Sequence, residues 1–408
     1  MKKVKIRRIF HPIGQGAFYT EQFDTDEGKL SVVYDCGSLR SGVNKEAMIQ
    51  TVFKSGDSID ILFISHFDTD HMNFLSDIKK LKIEIKKVVI PLLSSNPIAI
   101  KILQVLYPET PNTPDSPNGS NGTFFDNTAL KTYLKQFLDK STEIVTVNPI
   151  KKKELSDNDS KIWKSLYAKS ESDYISDSNS QIKANESKEK TIESGDVITL
   201  TSKKRIDLSG FENRMEIIWK YVPYNFKSDE RSKQFIKALK RAGISENCTY
   251  DDRTIKKIKK IYASIDGNLN ENSMVVFSLP DKREDKFRVN NYYGYSGTNY
   301  RKCHSPGCVF MGDFDAKKNL KEGLQQLLNS YYMDKIIGVL QIPHHGSREN
   351  YNSELIKPYL FYVISFGNNN QYGHPSCEST SDILKKKGVL ILITQCKLFM
   401  FTQNICQY

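Results

Sequence analysis

The residues of this chain best suited to chemistry are its histidines. Five of the seven histidines fall in three short clusters along the sequence, at positions 66–71, 344–345 and 374. The first cluster places four potential metal ligands within six residues: His66, Asp68, Asp70 and His71. Imidazole nitrogen and carboxylate oxygen both bind divalent metal ions. The alternative is a polar turn whose aspartates cap the next helix, and the downstream histidines make it the weaker interpretation.

Each histidine cluster follows an apolar run that has the pattern of a buried strand. The runs cover residues 59–64, 336–342 and 361–366, and their length and composition predict strands. A further predicted strand, Val309–Met311, ends in Gly312-Asp313. A Gly-Asp turn alone is a weak signal, but here it accompanies three clusters at strand ends. We therefore expect the fold to gather these loops, with Asp313 able to bridge two metal ions.

Composition limits the possible settings and partners of the chain. The 408 residues carry a formal charge of +11, which favours acidic partners, nucleic acid first, although many solvated helix faces are equally basic. Seven cysteines without regular spacing argue against a disulfide framework and for a reducing compartment. No apolar stretch reaches about 18 residues, and the basic start has no long apolar continuation. We expect a soluble cytoplasmic protein that does not associate with membranes.

The chain is predicted to form a single domain over 1–408 with two insertions. The predicted core comprises residues 1–100, 191–230 and 265–408. The first insertion, 101–190, contains segments too rich in Pro, Ser, Asn and Asp for a packed core, so it is predicted to be partly loop or disordered. The second, 231–264, has the apolar spacing of Lys-rich helices, whose basic faces suit a phosphate backbone or plain solvation equally well.

A group of two cysteines and one histidine begins in a long predicted hairpin tip over residues 280–307. Cys303, His304 and Cys308 fall within six residues, a spacing compatible with zinc, but a fourth ligand is not evident. Incidental thiols near a turn are the favoured interpretation. The tip also interleaves tyrosines with basic residues, which could stack on exposed nucleobases.

Short motifs occur in a fixed order along the chain: Gly14-Gln15-Gly16, Asp35-Cys36-Gly37, His66 to His71, Asn272-Ser273, Gly312-Asp313, His344 to Ser347, Ser365 and Gly373-His374-Pro375. Together they resemble the metallo-β-lactamase fold superfamily, most closely the soluble hydrolase domain of the DNA-uptake competence protein ComEC and its stand-alone relatives. The superfamily loop reads His-x-His-x-Asp-His; Asp68 replaces the second His here, as in the ComEC-like branch. The match covers both ends of the chain and skips much of 100–265.

The resemblance implies an α/β fold, a four-layer αββα sandwich with a pair of metal ions at one edge of its two sheets. By this resemblance, Asp70 and His71 would hold one ion, His66 and Asp68 the other, and Asp313 would bridge them. His344 or His345, together with His374, are the candidates that complete the two sites, and His11 is expected to be structural. The oxygen ligand at Asp68 shifts the preference from Zn²⁺ somewhat toward Mn²⁺ without excluding zinc.

The implied function is a metal-dependent phosphodiesterase or nuclease acting on DNA, RNA or a nucleotide. Either ion would lower the pKa of a bound water, making hydroxide available near neutral pH. Asp70 would orient that water and His345 would protonate the leaving oxygen. Ser347 and Arg348 would bind a phosphate oxygen of the substrate.

Two alternatives stay open from the sequence. The same metal site could hydrolyse a small ester, lactone or thioester. The fold could also serve as a binding module without turnover, although the nearly complete ligand set argues against that interpretation. Fold likeness alone does not establish a substrate.

Overall fold

The computed structural model of the chain describes fourteen segments, and every structural statement below refers to them: residues 4–26, 28–39, 44–92, 134–150, 189–204, 214–226, 234, 237–244, 251–263, 273–281, 286–294, 298–299, 305–333 and 335–408. Most of the predicted insertion 101–190 lies outside them, as do Asn272, Cys303 and His304. Of Cys303, His304 and Cys308, the structure therefore describes Cys308 alone, which is buried in a strand.

The strands of the described residues are β1 Lys5–Phe10, β2 Gly16–Thr25, β3 Gly28–Ser38, β4 Ser58–Ile59, β5 Ile61–Phe63, β6 Glu84–Ile85, β7 Lys87–Pro91, β8 Glu143–Val147, β9 Glu189–Ile192, β10 Ile198–Lys204, β11 Arg214–Asn225, β12 Met274–Pro280, β13 Phe287–Tyr293, β14 Thr298–Asn299, β15 Gly307–Phe310, β16 Ile337–Gln341, β17 Phe361–Ser365, β18 Val389–Ile393 and β19 Phe401–Gln407. The α-helices are α1 Lys45–Gln50, α2 Thr69–Met72, α3 Leu75–Lys80, α4 Asp252–Ala263, α5 Ala316–Asn319, α6 Gln325–Met333 and α7 Cys377–Lys385. A π-helical turn, Leu320–Leu324, joins α5 to α6, and short 3-10 turns occupy His344–Gly346, Ser353–Leu355 and Lys397–Phe399. None of the described helices is long and apolar enough to cross a membrane.

Two large mixed sheets organise the described chain, which confirms the α/β class. The ten-stranded sheet has the order β14-β13-β19-β1-β2-β3-β5-β7-β8-β9, and the seven-stranded sheet has the order β10-β11-β12-β15-β16-β17-β18. Each sheet is antiparallel at one end and parallel at the other: β3 to β9 are parallel in the first, and β15 to β18 in the second. Strand β8, which lies within the segment 101–190, pairs with β7 and β9 in the first sheet.

The apolar residues divide into three buried clusters that follow the strand alternation. One cluster joins inward-facing residues of both sheets, such as Phe10 and Tyr34 from the first and Trp219 and Phe310 from the second. A second cluster combines the other face of the seven-stranded sheet with residues of α5 and α6. A third combines the other face of the ten-stranded sheet with α1, α2 and α3. Burial of these apolar faces is the main source of stability.

A buried polar network crosses the space between the sheets away from the strand ends. Arg8 Nε on β1 donates to Glu21 Oε1 on β2 at 2.6 Å, and Tyr221 Oη on β11 donates to Glu21 Oε2 at 2.6 Å. Ser278 Oγ on β12 donates to the same carboxylate at 2.8 Å. Since a buried charge is costly unless paired and hydrogen-bonded, this network favours the one alignment of the two sheets that satisfies it.

The parallel halves of both sheets place the predicted ligand loops at strand carboxyl ends. The loop after β5 carries residues 65–71, and the loops after β15, β16 and β17 carry Asp313, His344–Ser347 and His374. Carboxyl ends of neighbouring parallel strands meet at one edge of a sheet, the usual place for ligands in α/β folds. The main chain links these two edges, because Met274 N donates to Ser65 O at 2.8 Å.

Candidate metal centre

The first ligand loop is held by glycines that let it approach the sheet closely. A Cβ on Gly37, at the end of β3, would lie 2.6 to 2.7 Å from backbone atoms of Asp70, His71 and Met72. A Cβ on Gly16 would likewise lie 2.8 Å from Asp70 O. Only residues without side chains permit this contact. The two glycine motifs therefore set the position of α2, on which Asp70 and His71 lie.

The loop that carries Asp313 is fixed by Gln341 at the end of β16. Gln341 Oε1 accepts from Met311 N at 2.8 Å and Gly312 N at 3.0 Å, and its amide nitrogen donates to Gly312 O at 3.1 Å. Gly312 has a φ of +52°, and a Cβ there would lie 2.5 Å from Ser65 Oγ. The Gly-Asp turn is thus packed directly against the first ligand loop.

The turn after β16 contains three consecutive residues in the left-handed region. Their φ values are 48° for His344, 54° for His345 and 76° for Gly346. For a residue with a side chain this conformation costs about 1–2 kcal/mol, and such strain concentrates at functional sites. The turn is held by His344 N donating to Gly312 O at 3.0 Å and Ser347 N to His344 O at 2.8 Å. Within this turn the His344 ring faces Asp313 and the His345 ring faces Asp70.

Five buried residues meet at this edge and form two overlapping groups that could hold metal ions. One group is His66, His71 and Asp313; the other is Asp70, His71 and His345. The nitrogen His71 Nε2 lies 3.3 Å from Asp313 Oδ1 and 3.9 Å from Asp70 Oδ2, and His345 Nε2 lies 3.4 Å from Asp70 Oδ2. Side-chain exposure of these five residues is 9% or less.

The second oxygen of Asp313 faces a different set of side chains. Asp313 Oδ2 lies 3.7 Å from His66 Nε2 and 3.7 Å from His344 Nε2. Asp68 Oδ2 lies 3.6 Å from the same His66 nitrogen. The carboxylate of Asp313 therefore has His71 on one side and His66 with His344 on the other.

Hydrogen bonds at the opposite ring nitrogen fix the protonation of three histidines. His71 Nδ1 lies 2.7 Å from Asp35 Oδ2, His345 Nδ1 2.7 Å from Ser365 O, and His344 Nδ1 2.7 Å from Asn350 Oδ1. These oxygens accept hydrogen bonds, so each Nδ1 carries the proton. In the neutral ring Nε2 then presents a lone pair to the cluster, the orientation that metal-binding histidines adopt.

His66 reaches the same state through a serine. Ser65 Oγ lies 2.7 Å from Asp35 Oδ2 and 2.9 Å from His66 Nδ1. The single hydroxyl proton of Ser65 goes to the carboxylate, which can only accept. Ser65 Oγ must therefore accept from His66 Nδ1, leaving His66 Nε2 unprotonated in the neutral ring.

Buried nitrogens without hydrogen bonds show that the donor set fits a divalent ion. Within the described part of the chain, His66 Nε2, His71 Nε2 and His345 Nε2 are buried and make no hydrogen bond of acceptable geometry. A buried polar atom usually has a partner, and three that converge on carboxylates at 3.3 to 3.9 Å lack one. Imidazole nitrogens and carboxylate oxygens in this arrangement could hold a divalent metal ion.

The electrostatics of the cluster couple its histidines to its carboxylates. Burial acts to lower the pKa of His71, but the carboxylates of Asp313, Asp35 and Asp70 outweigh it and raise the pKa well above its usual value. The pKa of His345 is raised in the same way, against burial, by Asp70 and Asp313. Burial acts to raise the pKa of Asp313, but His344, His71 and His66 hold it well below the usual range.

The remaining predicted site residues lie around the cluster. Asp68 and His344 are more exposed than the five cluster residues, at 27% and 16% of the side chain. His374 is half-buried and its ring centroid lies 5.4 Å from that of His344 and 6.2 Å from that of His345. Neither of the two buried groups among the described residues includes His374. Its pKa is lowered to about 4 by burial and by the neighbouring histidines.

The two predicted phosphate-binding residues differ in exposure. Ser347 is buried, and its Oγ accepts from Glu349 N at 3.2 Å within the same turn. The Arg348 side chain is 75% exposed and its Nε lies 3.4 Å from Glu378 Oε2. Arg348 therefore stands at the surface and can turn toward an anion at little cost, since exposed ion pairs are weak.

His11 lies outside the cluster in a packed environment. Its Nε2 is 2.8 Å from Thr20 Oγ1, and its ring stacks on Phe18 with centroids 4.6 Å apart. Burial, with a contribution from Arg7, lowers the pKa of His11 to about 3. The residue is therefore neutral in the folded protein at neutral pH.

Several residues that position the cluster are not among the site residues that the sequence predicted. They are Asp35, Ser65, Ser273 and Asn350. Asp35 accepts from Ser65 N and Ser65 Oγ, both at 2.7 Å, and faces His71 Nδ1. Ser273 Oγ accepts from Asp313 N at 3.0 Å and lies 3.0 Å from His66 Nδ1. Asp35 and Ser273 do belong to motifs that carry the resemblance: Asp35-Cys36-Gly37 lies within β3, and Asn272-Ser273 directly precedes β12.

Comparison with known proteins shows no family for this chain. No protein-family model matches the chain, and no curated protein matches it. The two mixed sheets and the buried His/Asp cluster therefore carry the functional argument by themselves.

Proposed function

We propose that this chain is a metallo-β-lactamase-fold hydrolase that uses two divalent ions. The support for the fold is the order of its layers: the inner faces of two mixed sheets share one apolar cluster, and helices cover each outer face. This arrangement supports the proposed four-layer αββα sandwich. The ligand loops leave one edge of both sheets, as the resemblance of the motifs implies.

One observation carries the metal proposal: the two oxygens of Asp313 face opposite halves of the cluster. Oδ2 faces His66 and His344, which together with Asp68 would form the first ion position. Oδ1 faces His71, which together with the two residues Asp70 and His345 would form the second position. Each position then receives two imidazoles, its own carboxylate and a share of Asp313.

This assignment keeps His344 as a ligand and changes the roles that the sequence offered for His345 and His374. His345 becomes a ligand of the second position because its Nε2 is buried beside Asp70. His344 completes the first position. His374 borders the site, and with a pKa of about 4 it is neutral at pH 7. A neutral imidazole can accept a hydrogen bond from substrate but is not the protonated form that acts as a general acid.

The reaction proposed is hydrolysis of a phosphodiester in nucleic acid or a nucleotide. Divalent ions in these positions would supply activated water and polarise the phosphoryl oxygen. The chain itself contributes a closed, buried second position, an open first position at Asp68 and His344, and exposed Arg348 for a phosphate oxygen. The formal charge of +11 favours a polyanionic substrate.

The test compares substrates under defined metals. Purified protein with Zn²⁺ or Mn²⁺ is assayed on a phosphodiester reporter, on single-stranded DNA and on a lactone. We expect phosphodiester turnover, and its loss together with reduced metal content in Asp313→Asn, which keeps its fold. Lactone turnover without phosphodiester turnover would replace the proposed substrate class, and full activity of Asp313→Asn would remove Asp313 from the reaction.

A further inference from the structure

An exposed aromatic ring stands at the open side of the metal centre. The ring of Tyr372 stacks on His374, with centroids 5.8 Å apart and planes 21° from parallel, and Tyr372 is 66% exposed. His374 in turn contacts the rings of His344 and His345. One face of Tyr372 is thus covered by a residue of the site, while much of the ring remains in water.

Hydrogen bonds within the loop hold the main chain of Tyr372 and His374, and the stack on His374 orients the Tyr372 ring. Asn370 Oδ1 accepts from Tyr372 N at 3.2 Å and from His374 N at 3.0 Å. The Asn370 amide nitrogen donates to Gly367 O at 2.6 Å and to His374 O at 2.8 Å. A ring held in place before binding loses little conformational entropy when a ligand stacks on it. Exposing a large aromatic ring serves no packing purpose here, since the His374 contact uses only one of its faces.

The ring lies on the side from which substrate must enter. Asp70, His71 and His345 are closed off from solvent, whereas the side chains of Asp68 and His344 are partly open to it. The ring of His374 contacts both Tyr372 and His344, with centroid distances of 5.8 and 5.4 Å. The rings of Tyr372 and His344 are therefore at most about 11 Å apart, the length of about three stacked nucleotides.

We propose that Tyr372 is a substrate-binding residue that stacks on an unpaired nucleobase while a nearby phosphodiester lies over the open metal position. The inference rests on the proposed function and narrows its substrate class to single-stranded nucleic acid. Base–aromatic stacking is independent of sequence, because every base presents a π-face. Tyr372 therefore contributes affinity for the strand without selecting a base.

The test separates the base from the backbone. Two hexamers share the same phosphodiester backbone: hexathymidylate, and a hexamer whose residues are abasic tetrahydrofuran units. Affinity is measured with phosphorothioate-linked versions, which resist turnover, by fluorescence anisotropy, and kcat/KM is measured with the ordinary linkages. In the wild type we expect a preference for the base-bearing strand. Tyr372→Ala should reduce this preference about tenfold, or about 1.4 kcal/mol, and Tyr372→Phe should retain it.

Tyr359 provides a matched control, because it is also an exposed tyrosine, at 58%, but precedes β17 and so lies at the opposite end of that strand. Tyr359→Ala should keep the wild-type preference. An unchanged preference in Tyr372→Ala, or a wild type without any preference, would overturn the inference. If the wild type hydrolyses neither strand, the proposed function fails, while the anisotropy measurement still decides whether Tyr372 binds bases.

Discussion

Replacing Asp35, which is not itself a proposed ligand, by Asn should weaken metal binding while changing almost no side-chain volume. The Asp35 carboxylate accepts three hydrogen bonds of 2.7 Å, from Ser65 N, Ser65 Oγ and His71 Nδ1. It thereby fixes His71 directly and His66 through Ser65. One buried carboxylate thus sets the protonation of a histidine in each proposed ion position.

The amide that Asp35→Asn introduces cannot satisfy all three contacts in either orientation. If its oxygen faces Ser65 N, its NH₂ group faces His71 Nδ1, so the ring proton must move to Nε2 and block the ion position. If the amide turns over, two donors face each other at Ser65 N in a buried site. Loss of such a supporting carboxylate costs about 10–100-fold in metal affinity, which corresponds to about 1.4–2.7 kcal/mol.

The assay is competitive titration of metal-stripped protein with Zn²⁺ against a chelator of known affinity. We expect Asp35→Asn to bind zinc about 10–100-fold more weakly with near-native circular dichroism. Asp60→Asn is the matched control: its carboxylate also accepts from a main-chain nitrogen, Ser31 N at 2.7 Å, and pairs with Lys86, but it precedes β5 and lies away from the cluster. Wild-type affinity in Asp35→Asn would refute the argument that Asp35 sets the histidine protonation.

Three further predictions follow from the same structure. Gly37→Ala forces a Cβ to 2.6–2.7 Å from the backbone of α2, so it should lower the free energy of unfolding in urea by about 1–3 kcal/mol and also lower zinc affinity. Gly307→Ala, which lies away from the site, places its Cβ 2.8 Å from a main-chain carbonyl oxygen and should lower stability alone. An equal change of zinc affinity in the two variants would contradict this prediction. His11 has a pKa of about 3 in the folded protein and about 6.5 in the unfolded chain, so the unfolded state binds more protons between these two values. The free energy of unfolding should therefore fall as pH drops below about 6.5, by about 2 kcal/mol at pH 5. His11→Gln should flatten this pH dependence in urea unfolding, and an unchanged dependence would exclude His11 as its source. The pKa values of His71 and His345 are raised in the ion-free cluster, so zinc must displace protons when it binds. The apparent zinc affinity should therefore fall as pH falls, and calorimetry in buffers of different ionisation enthalpy should show proton release. Binding heats that do not depend on the buffer would contradict this prediction.

The sequence predicted the ligand loops because their signals are local. His66 to His71 combine four potential ligands in six residues directly after an apolar run, and the same strand-end position marked Asp313 and the later histidines. Parallel pairing of β3 with β5 and of β15, β16 and β17 then places these loops at sheet edges. The α/β class followed from the resemblance of the motifs that these loops carry.

The remaining features depend on contacts that no local pattern encodes. The roles of His344 and His345 could not be separated in sequence, because adjacent side chains take different roles only through the left-handed turn that they share. Asp35 acts through hydrogen bonds to residues about thirty positions away. Strand β8 stands between segments of polar composition, where the sequence predicted an insertion.

In the proposed site, Asp313 joins two ion positions in one buried cluster. The most direct measurement is the metal content per chain, by inductively coupled plasma mass spectrometry, after loading with Zn²⁺ or Mn²⁺ and removal of unbound ions. The geometry predicts two ions per chain in the wild type, because Asp313 Oδ1 and Oδ2 face separate histidines at 3.3 and 3.7 Å. A folded wild-type protein that retains fewer than two ions per chain under both metals would contradict this assignment.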